Sequence, residues 1–181
     1  MAFENGRPLG RPSNRLRGNE KDTKIQIQIQ DRHKDIHKDR GNVMFGYPAQ
    51  FVKGREGYVV SFRDIPEALT SGATKKEAYE MAVDALATAM EFYFEDRRQV
   101  PIPSKARKGE ELVDLPTSVA VKVLLLNEML KEHVTPSKLA KRLDTSPQTV
   151  TRIVDLHHAT KIDTLACAFK AMGKTLTFSI A

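Results

Sequence analysis

The sequence predicts an α+β protein: a small antiparallel sheet with one helix packed on it, followed by an all-α domain. Short β-branched and aromatic runs separated by turn residues occupy residues 45–72, and a long segment with apolar residues at intervals of three and four follows them. Beyond residue 116, a Thr-Pro and a Ser-Pro dipeptide each precede a short helical pattern. A single Cys in 181 residues excludes a disulfide scaffold and a multi-Cys zinc module.

The net charge of +6 is unevenly distributed along the chain. Residues 1–42 carry a net +4, residues 43–115 carry −2, and residues 116–181 carry +4. Basic segments favour nucleic acid, because Lys and Arg displace counterions condensed on phosphates, whereas an acidic segment favours a basic protein partner. No apolar run approaches the roughly 20 residues that cross a bilayer. The N-terminus also lacks an apolar signal-peptide centre, so we expect a cytoplasmic protein without membrane contact.

Residues 1–43 form a basic tail that we expect to be disordered or not native, since its first part contains few apolar side chains. The exception is 25–30, where Ile and Gln alternate as in an edge strand. His33 and His37 are spaced for one helix face, but no third ligand accompanies them, so we expect no metal site and no cofactor. The composition changes at Met44, which is one hypothesis for the natural start. An intact mass corresponding to all 181 residues would exclude that hypothesis.

Residues 44–115 form the first predicted domain. Two apolar-aromatic runs, 45–53 and 58–62, flank a glycine-containing turn and predict a hairpin. Two further short strands are expected at 69–72 and 111–115.

A helix is predicted between those last two strands, which makes the element order β-β-β-α-β. Thr74 and Glu77 form a capping box at its start, and it ends near Glu95 and Asp96, before Pro101. Its predicted apolar stripe consists of Ala78, Met81, Ala82, Ala85, Leu86, Ala89, Phe92 and Tyr93.

Catalysis is not expected, and the sequence has no Ser-His-Asp, Cys-His, phosphate-loop or HExxH pattern. Paired carboxylates can hold Mg²⁺ for phosphodiester hydrolysis, and a metal-dependent nuclease using Asp64, Glu80 and Asp84 is the third-ranked alternative. Glu80 and Asp84, however, lie opposite the apolar stripe of the predicted helix, which is typical of a solvated face.

One composite motif of this domain has a specific order. After Gly57 it consists of a hairpin strand, the turn 64–66 (Asp-Ile-Pro), the triplet 70–72 (Thr-Ser-Gly), the helix opening 74–78 (Thr-Lys-Lys-Glu-Ala), and then 84–86 (Asp-Ala-Leu). This pattern resembles the HicB antitoxin family, over residues 44–181. The resemblance implies a partial RNase H-like fold without catalysis. It also implies that the domain binds and covers HicA, a small basic ribonuclease toxin with a double-stranded-RNA-binding-like fold.

The resemblance does not say which residues contact the toxin, so the candidates come from the residues themselves. Aromatic side chains and carboxylates are the groups that an acidic domain offers to a basic partner. Each aromatic candidate is equally consistent with a place in the core. The predicted toxin-binding residues are Tyr47, Tyr58, Asp64, Glu67, Glu80, Asp84, Phe92 and Tyr93.

Residues 116–181 form the second predicted domain, with the pattern of a helix-turn-helix. A helix over 118–131 comes first, and then Thr135 and Ser146 each cap a helix that has proline in its first position. Asp144 stands where a turn glycine is customary, and Asp tolerates a left-handed backbone. The predicted shared core is Leu139, Ala140, Leu143, Val150 and Ile153.

A further helix is predicted over 161–172, capped by Thr160 with Asp163 and ended by Gly173. It lies in an apolar stretch around Cys167, so we expect that thiol to be buried and inert.

In this interpretation the helix over 146–153 enters the major groove by its N-terminal end. Gln pairs with adenine and Arg with guanine, so Gln148, Thr149 and Arg152 are expected to face bases. The remaining predicted DNA-binding residues, which we assign mainly to phosphates, are Ser137, Lys138, Lys141, Arg142, Ser146 and Thr151.

The chain closes on a strand pattern in which Leu176, Phe178 and Ile180 alternate with Thr and Ser. Such a strand has no evident partner in an otherwise helical domain, so we expect it to pair with the same strand of a second chain. The resulting dimer, or a higher even oligomer, would hold two recognition helices about 34 Å apart on a palindromic operator.

The leading functional prediction is an antitoxin that binds and neutralises a HicA-like mRNA-cleaving toxin and represses its own operon. The alternative is a helix-turn-helix transcriptional regulator whose α+β domain senses a small ligand.

Overall fold

The fold, taken from a computed structural model, is mixed α/β, and the structure describes residues 25–31 and 45–180. Over these residues the chain forms, in order, β1 (Ile25–Asp31), β2 (Gly46–Lys53), β3 (Tyr58–Phe62), β4 (Leu69–Gly72), α1 (Lys75–Glu95), β5 (Glu110–Asp114), α2 (Thr117–Lys131), α3 (Pro136–Leu143), α4 (Pro147–Val154), α5 (Ile162–Ala171) and β6 (Lys174–Ile180). The predictions for residues 1–24, for His33 and His37, and for Met44 fall outside the described residues.

Four strands form an antiparallel sheet in the order β4-β3-β2-β5. The predicted order β-β-β-α-β is confirmed, with α1 between β4 and β5. Strand alternation turns one side of the sheet to α1, and the residues buried on that side are Tyr47, Ala49, Val60, Phe62 and Val113. On the other side, Val52 and Val59 are exposed and directly opposite each other. The sheet therefore has one covered and one solvated face.

Helix α1 begins at the predicted capping box. The Thr74 hydroxyl accepts a hydrogen bond from the Glu77 N–H at 3.2 Å, and the Glu77 carboxylate accepts one from the Ala73 N–H at 3.0 Å. The helix covers the sheet with a row of buried side chains: Ala78, Ala82, Leu86, Ala89, Met90 and Tyr93. The predicted stripe was wrong at two positions, because Met81 and Phe92 lie on its margin and point to solvent.

Gly72 marks the closest approach of β4 to α1. A Cβ atom at this position would lie 2.4 Å from the Ala78 nitrogen and 2.7 Å from the Ala78 Cα, both of which are main-chain atoms. Gly72→Ala is therefore expected to displace α1 and to lower the free energy of unfolding by about 3 kcal/mol, which thermal unfolding would register as a drop of roughly 6–12 °C. At Gly54 the nearest atom to an added Cβ is 3.8 Å away. Equal melting temperatures for Gly72→Ala and Gly54→Ala would contradict this account.

The second half of the described chain is helical up to β6, as predicted. Thr135 and Ser146 cap α3 and α4, accepting hydrogen bonds from Lys138 N–H at 3.2 Å and Thr149 N–H at 3.1 Å. Between these helices Asp144 takes the expected left-handed conformation, with φ of +51°. Buried side chains from α2 to α5 join those around the sheet in one contiguous core.

Two local predictions in α5 were wrong. The helix begins after Lys161 without a side-chain cap, because the Thr160 hydroxyl donates instead to the Ile153 carbonyl at 3.4 Å. Cys167 is exposed, since the buried side of α5 is formed by Leu165, Ala168 and Phe169 and position 167 lies away from it.

Strand β6 does have a partner within the chain, which corrects the premise that it stands alone. It pairs antiparallel with β1, from Ile25 opposite Ile180 to Asp31 opposite Lys174. The alternating Ile-Gln segment is thus a strand, as its pattern indicates, and this part of the tail is ordered. Sequence reasoning missed the pairing because the two strands are separated by almost the whole chain, and only shared alternation connects them.

Candidate interaction surfaces

Two of the predicted toxin contacts, Tyr47 and Tyr93, belong to the core. Tyr47 is fully buried, and its hydroxyl donates to the Pro101 carbonyl at 2.8 Å. Burial raises the pKa of Tyr47 far above its usual range, so this hydroxyl stays a donor. Tyr58 is half-buried and packs against the same core. As positioned, Tyr47 and Tyr93 offer a partner almost no surface.

Glu67 is engaged within the domain. Its carboxylate accepts a hydrogen bond from Arg98 at 2.7 Å and another from the Tyr93 hydroxyl at 2.9 Å. The Arg98 guanidinium lies 3.8 Å from the centroid of the Tyr93 ring, which completes a cation–π contact. The hydrogen bond from Arg98 is the main reason why the pKa of Glu67 is lowered. This cluster connects the β3–β4 loop with the segment after α1.

Asp64 is also used internally. Its carboxylate accepts hydrogen bonds from the Ser104 N–H at 2.8 Å and the Ser104 hydroxyl at 3.0 Å. Neighbouring Arg63 forms an ion pair with Glu110 at 2.7 Å. In the described ranges, no three His, Cys, Asp or Glu side chains are grouped to hold a metal ion. The described residues therefore offer no metal-ligand cluster in support of the metal-dependent nuclease alternative.

The other three candidates, Glu80, Asp84 and Phe92, lie together on the exposed side of α1. Phe92 is 50% exposed and Met81, which sequence reasoning placed in the core, is 43% exposed. At 100° per residue the carboxylates form one strip and the two large apolar side chains an adjacent strip. We call this surface the α1 outer face; it consists of Glu77, Glu80, Met81, Asp84, Thr88, Phe92 and Glu95.

Most of these carboxylates have no strong partner in the described structure. Glu80 is 3.8 Å from Lys76 in an exposed i,i+4 pair, which contributes only a few tenths of a kcal/mol. Glu77 is used in the cap of α1. The α1 outer face thus combines uncompensated negative charge with exposed apolar area, two properties typical of protein-binding surfaces.

A second surface is formed by α3 and α4. All the predicted DNA-binding residues are exposed there, while Leu139, Ala140, Val150 and Ile153 are buried beneath them. Some of the hydroxyls also serve the helices, since Thr151 donates to the Pro147 carbonyl at 3.1 Å and Ser146 caps α4. Four cations lie on this surface: Lys138, Lys141, Arg142 and Arg152.

The exposed N-terminus of α4 adds to the positive potential of this surface. The first turn of the helix contains no acidic residue, and unpaired N–H groups at a helix start favour anions. Gln148, Thr149 and Arg152 are accessible along the first two turns. The arrangement is chemically suited to phosphates at the ends of α3 and α4 and to base edges along α4.

A further feature of the described residues is a cleft of about 500 Å³ between the end of α1 and the helices α2 to α4. Its walls are mostly apolar and include Phe94, Leu126, Met129 and Val154. Within the same ranges, no helix is both long and apolar enough to cross a membrane.

Comparison with known proteins agrees with the motif identified in residues 57–86. Residues 46–124 match the family model described as HicB_like antitoxin of bacterial toxin-antitoxin system. The Photorhabdus laumondii protein Antitoxin HicB 2 is 55% identical over 130 residues, which cover 72% of this chain and 92% of that protein. Antitoxin HicB of Escherichia coli K12 is 50% identical over 72% of this chain and 96% of its own length. Antitoxin HicB of Pseudomonas fluorescens is 33% identical over 78% and 97%. The chain therefore belongs to the HicB family of antitoxins.

Proposed function

We propose that this protein binds and neutralises a small, basic, mRNA-cleaving toxin of the HicA type and represses its own operon by binding operator DNA. In this proposal residues 44–115 form a partial RNase H-like domain that binds the toxin without catalysis. Residues 116–181 bind DNA, and α3 with α4 act as a helix-turn-helix. Both activities are placed in the cytoplasm, where mRNA and operator DNA are found.

The α1 outer face is the observation that carries the toxin-binding part. It brings three of the eight candidates together on one exposed helix face, and its carboxylates complement a basic protein. Phe92 and Met81 supply apolar area that association would remove from water. Partly buried hydrogen bonds hold the segments that flank α1 in place. They are made by Tyr47 with Pro101 and by Tyr93 with Glu67.

The α3–α4 surface supports operator binding. Two short helices joined through a left-handed residue, with the second helix exposed at its N-terminus, fit a major groove. Gln148, Thr149 and Arg152 are assigned to bases, and the cations and hydroxyls around them to phosphates.

We also propose that the protein acts as a homodimer or a higher even oligomer through β6. Pairing with β1 occupies one edge of β6, and a strand has a second edge that can pair with the same strand of another copy. Leu176, Phe178 and Ile180 are the residues assigned to this contact. Light scattering should give a mass of at least twice the 20.3 kDa of one chain. Removal of residues 174–181 should convert a dimer to a monomer and so reduce the measured mass by about half. An unchanged oligomer after that deletion would contradict the β6 interface.

Co-expression tests the toxin-binding proposal. A short basic reading frame beside this one should stop growth when expressed alone, and this protein should restore growth. Growth that stays arrested in the presence of the folded protein would count against neutralisation.

The cleft at the end of α1 favours a second candidate function, a transcriptional regulator that senses a small ligand. A mostly apolar cleft of about 500 Å³ is large enough for such a molecule. In that case the protein would bind its promoter but leave toxin-arrested cells unrescued.

A further inference from the structure

A lysine is buried on α2 and directed to the end of α4. Lys122 is only 3% exposed, and its Nζ donates hydrogen bonds to the main-chain carbonyls of Asp155 and His158. Burial lowers the pKa of Lys122, and the nearby Asp155 carboxylate opposes that shift. A buried ammonium is tolerated only where it is hydrogen-bonded. The Asp155 and His158 carbonyls stabilise the buried ammonium of Lys122, and the same hydrogen bonds fix the positions of these two carbonyls.

These carbonyls define where α4 ends. Asp155 is the C-cap residue of α4, and His158 lies in the turn that leads to α5. A cation beside the C-terminal end of a helix is also favoured by the helix dipole. The Asp155 carboxylate accepts from the His157 N–H at 2.9 Å, which keeps this turn closed.

Helix α4 is otherwise held by its packing on α3 and by the Thr160 hydroxyl, which donates to the Ile153 carbonyl at 3.4 Å. It contains eight residues, of which Val150 and Ile153 are buried, and its N-terminal end is held by the Ser146 cap. Base edges are read by side chains held within about half an ångström of their productive geometry. A restraint at the C-terminal end therefore sets how far α4 is tilted and how deeply its exposed side chains reach.

We propose that Lys122 is a positioning residue for operator recognition, which holds α4 through the Asp155 and His158 carbonyls without contacting DNA itself. This inference rests on the DNA-binding function proposed above. It assigns to a residue of α2 a share of the sequence discrimination proposed for α4.

The same helix offers a matched control. Asn127 also makes two hydrogen bonds from α2 to main-chain groups, both at 2.9 Å, with the N–H and the carbonyl of Val100. These contacts tie α2 to the segment after α1 and do not involve α4. Asn127→Ala thus removes a similar pair of contacts at a different place.

The experiment compares full-length wild type, Lys122→Met and Asn127→Ala in binding to the promoter DNA of the protein's own operon and to a scrambled duplex of equal composition. Lys122→Met keeps an unbranched apolar chain but no donor. We expect it to reduce the promoter-to-scrambled affinity ratio at least tenfold, with binding to scrambled DNA within a factor of two of wild type. Asn127→Ala should lower the melting temperature and leave the ratio unchanged.

An unchanged ratio in Lys122→Met, or an equal fall of the ratio in Asn127→Ala, would overturn the positioning role. If Lys122→Met does not fold, Lys122→Gln replaces it. The Gln amide nitrogen ends one bond short of the Nζ position, which weakens both hydrogen bonds, so the ratio should lie between those of wild type and a nonspecific binder. A wild-type ratio would again overturn the positioning role. A wild-type protein that does not distinguish promoter from scrambled DNA would instead refute the DNA-binding function, and the role of Lys122 with it.

Discussion

The double substitution Glu80→Lys/Asp84→Lys should abolish toxin neutralisation while the free protein stays folded. Both side chains lie on the α1 outer face, and within the described residues their one ion pair is the weak pair of Glu80 with Lys76. Coupling energies of about 1.5 kcal/mol or more are typical of close charge pairs across an interface. Replacing two attractions by two repulsions should therefore weaken the complex at least about 100-fold. Titration of purified toxin by calorimetry measures this loss.

Stability should hardly change, because exposed ion pairs and like-charge i,i+4 pairs contribute only about 0.2–0.5 kcal/mol each. Glu56→Lys/Asp163→Lys is the control, since it makes the same change in net charge at exposed positions outside α1. The control should bind toxin within a few-fold of wild type. If both double variants weaken binding equally, net charge and not the α1 outer face would account for the effect.

The double substitution Gln148→Ala/Arg152→Ala should remove sequence discrimination from DNA binding. Each bidentate base contact contributes about 1–3 kcal/mol of discrimination, so the promoter affinity should fall by roughly 30-fold to 10⁴-fold. Lys138→Ala/Lys141→Ala should weaken promoter and scrambled DNA alike and reduce the salt dependence of binding by about one unit per lost phosphate contact. Fluorescence anisotropy at several salt concentrations separates the two patterns.

The packing of α4 allows a loss of base contacts to be distinguished from a loss of folding in these variants. Gln148 and Arg152 are exposed, and the helix is held by Val150 and Ile153 below, so truncation of the exposed side chains leaves its packing intact. If both double variants weaken all DNA sequences uniformly, the assignment of base-contacting residues on α4 would be wrong.

Local chemistry explains why most elements were predictable. The Thr74–Glu77 box, the Thr135 and Ser146 caps and the Asp144 turn are each specified by residues a few positions apart. Periodicity likewise identified the strands of the sheet and the buried side of α1, although it could not separate Met81 and Phe92 from the core side chains beside them.

Long-range partners were not predictable. Three of the predicted toxin contacts form hydrogen bonds to residues more than 30 positions away. The pairs are Tyr47 with Pro101, Asp64 with Ser104, and Glu67 with Arg98. An aromatic or acidic side chain has the same local pattern whether it meets the core, another loop or a toxin. The structure shows which of these side chains already have partners within the chain, and three of the eight toxin-contact candidates, Glu80, Asp84 and Phe92, share one exposed helix face.

Inhibition of RNA cleavage by the purified toxin tests the central claim most directly. Increasing amounts of the full-length protein are added to the toxin, cleavage of a labelled mRNA is followed, and the mixture is passed over a sizing column. The account predicts that cleavage stops at a stoichiometric amount of antitoxin and that both proteins elute together, whereas Glu80→Lys/Asp84→Lys does neither. Undiminished cleavage with separate elution of the folded wild-type protein would contradict it.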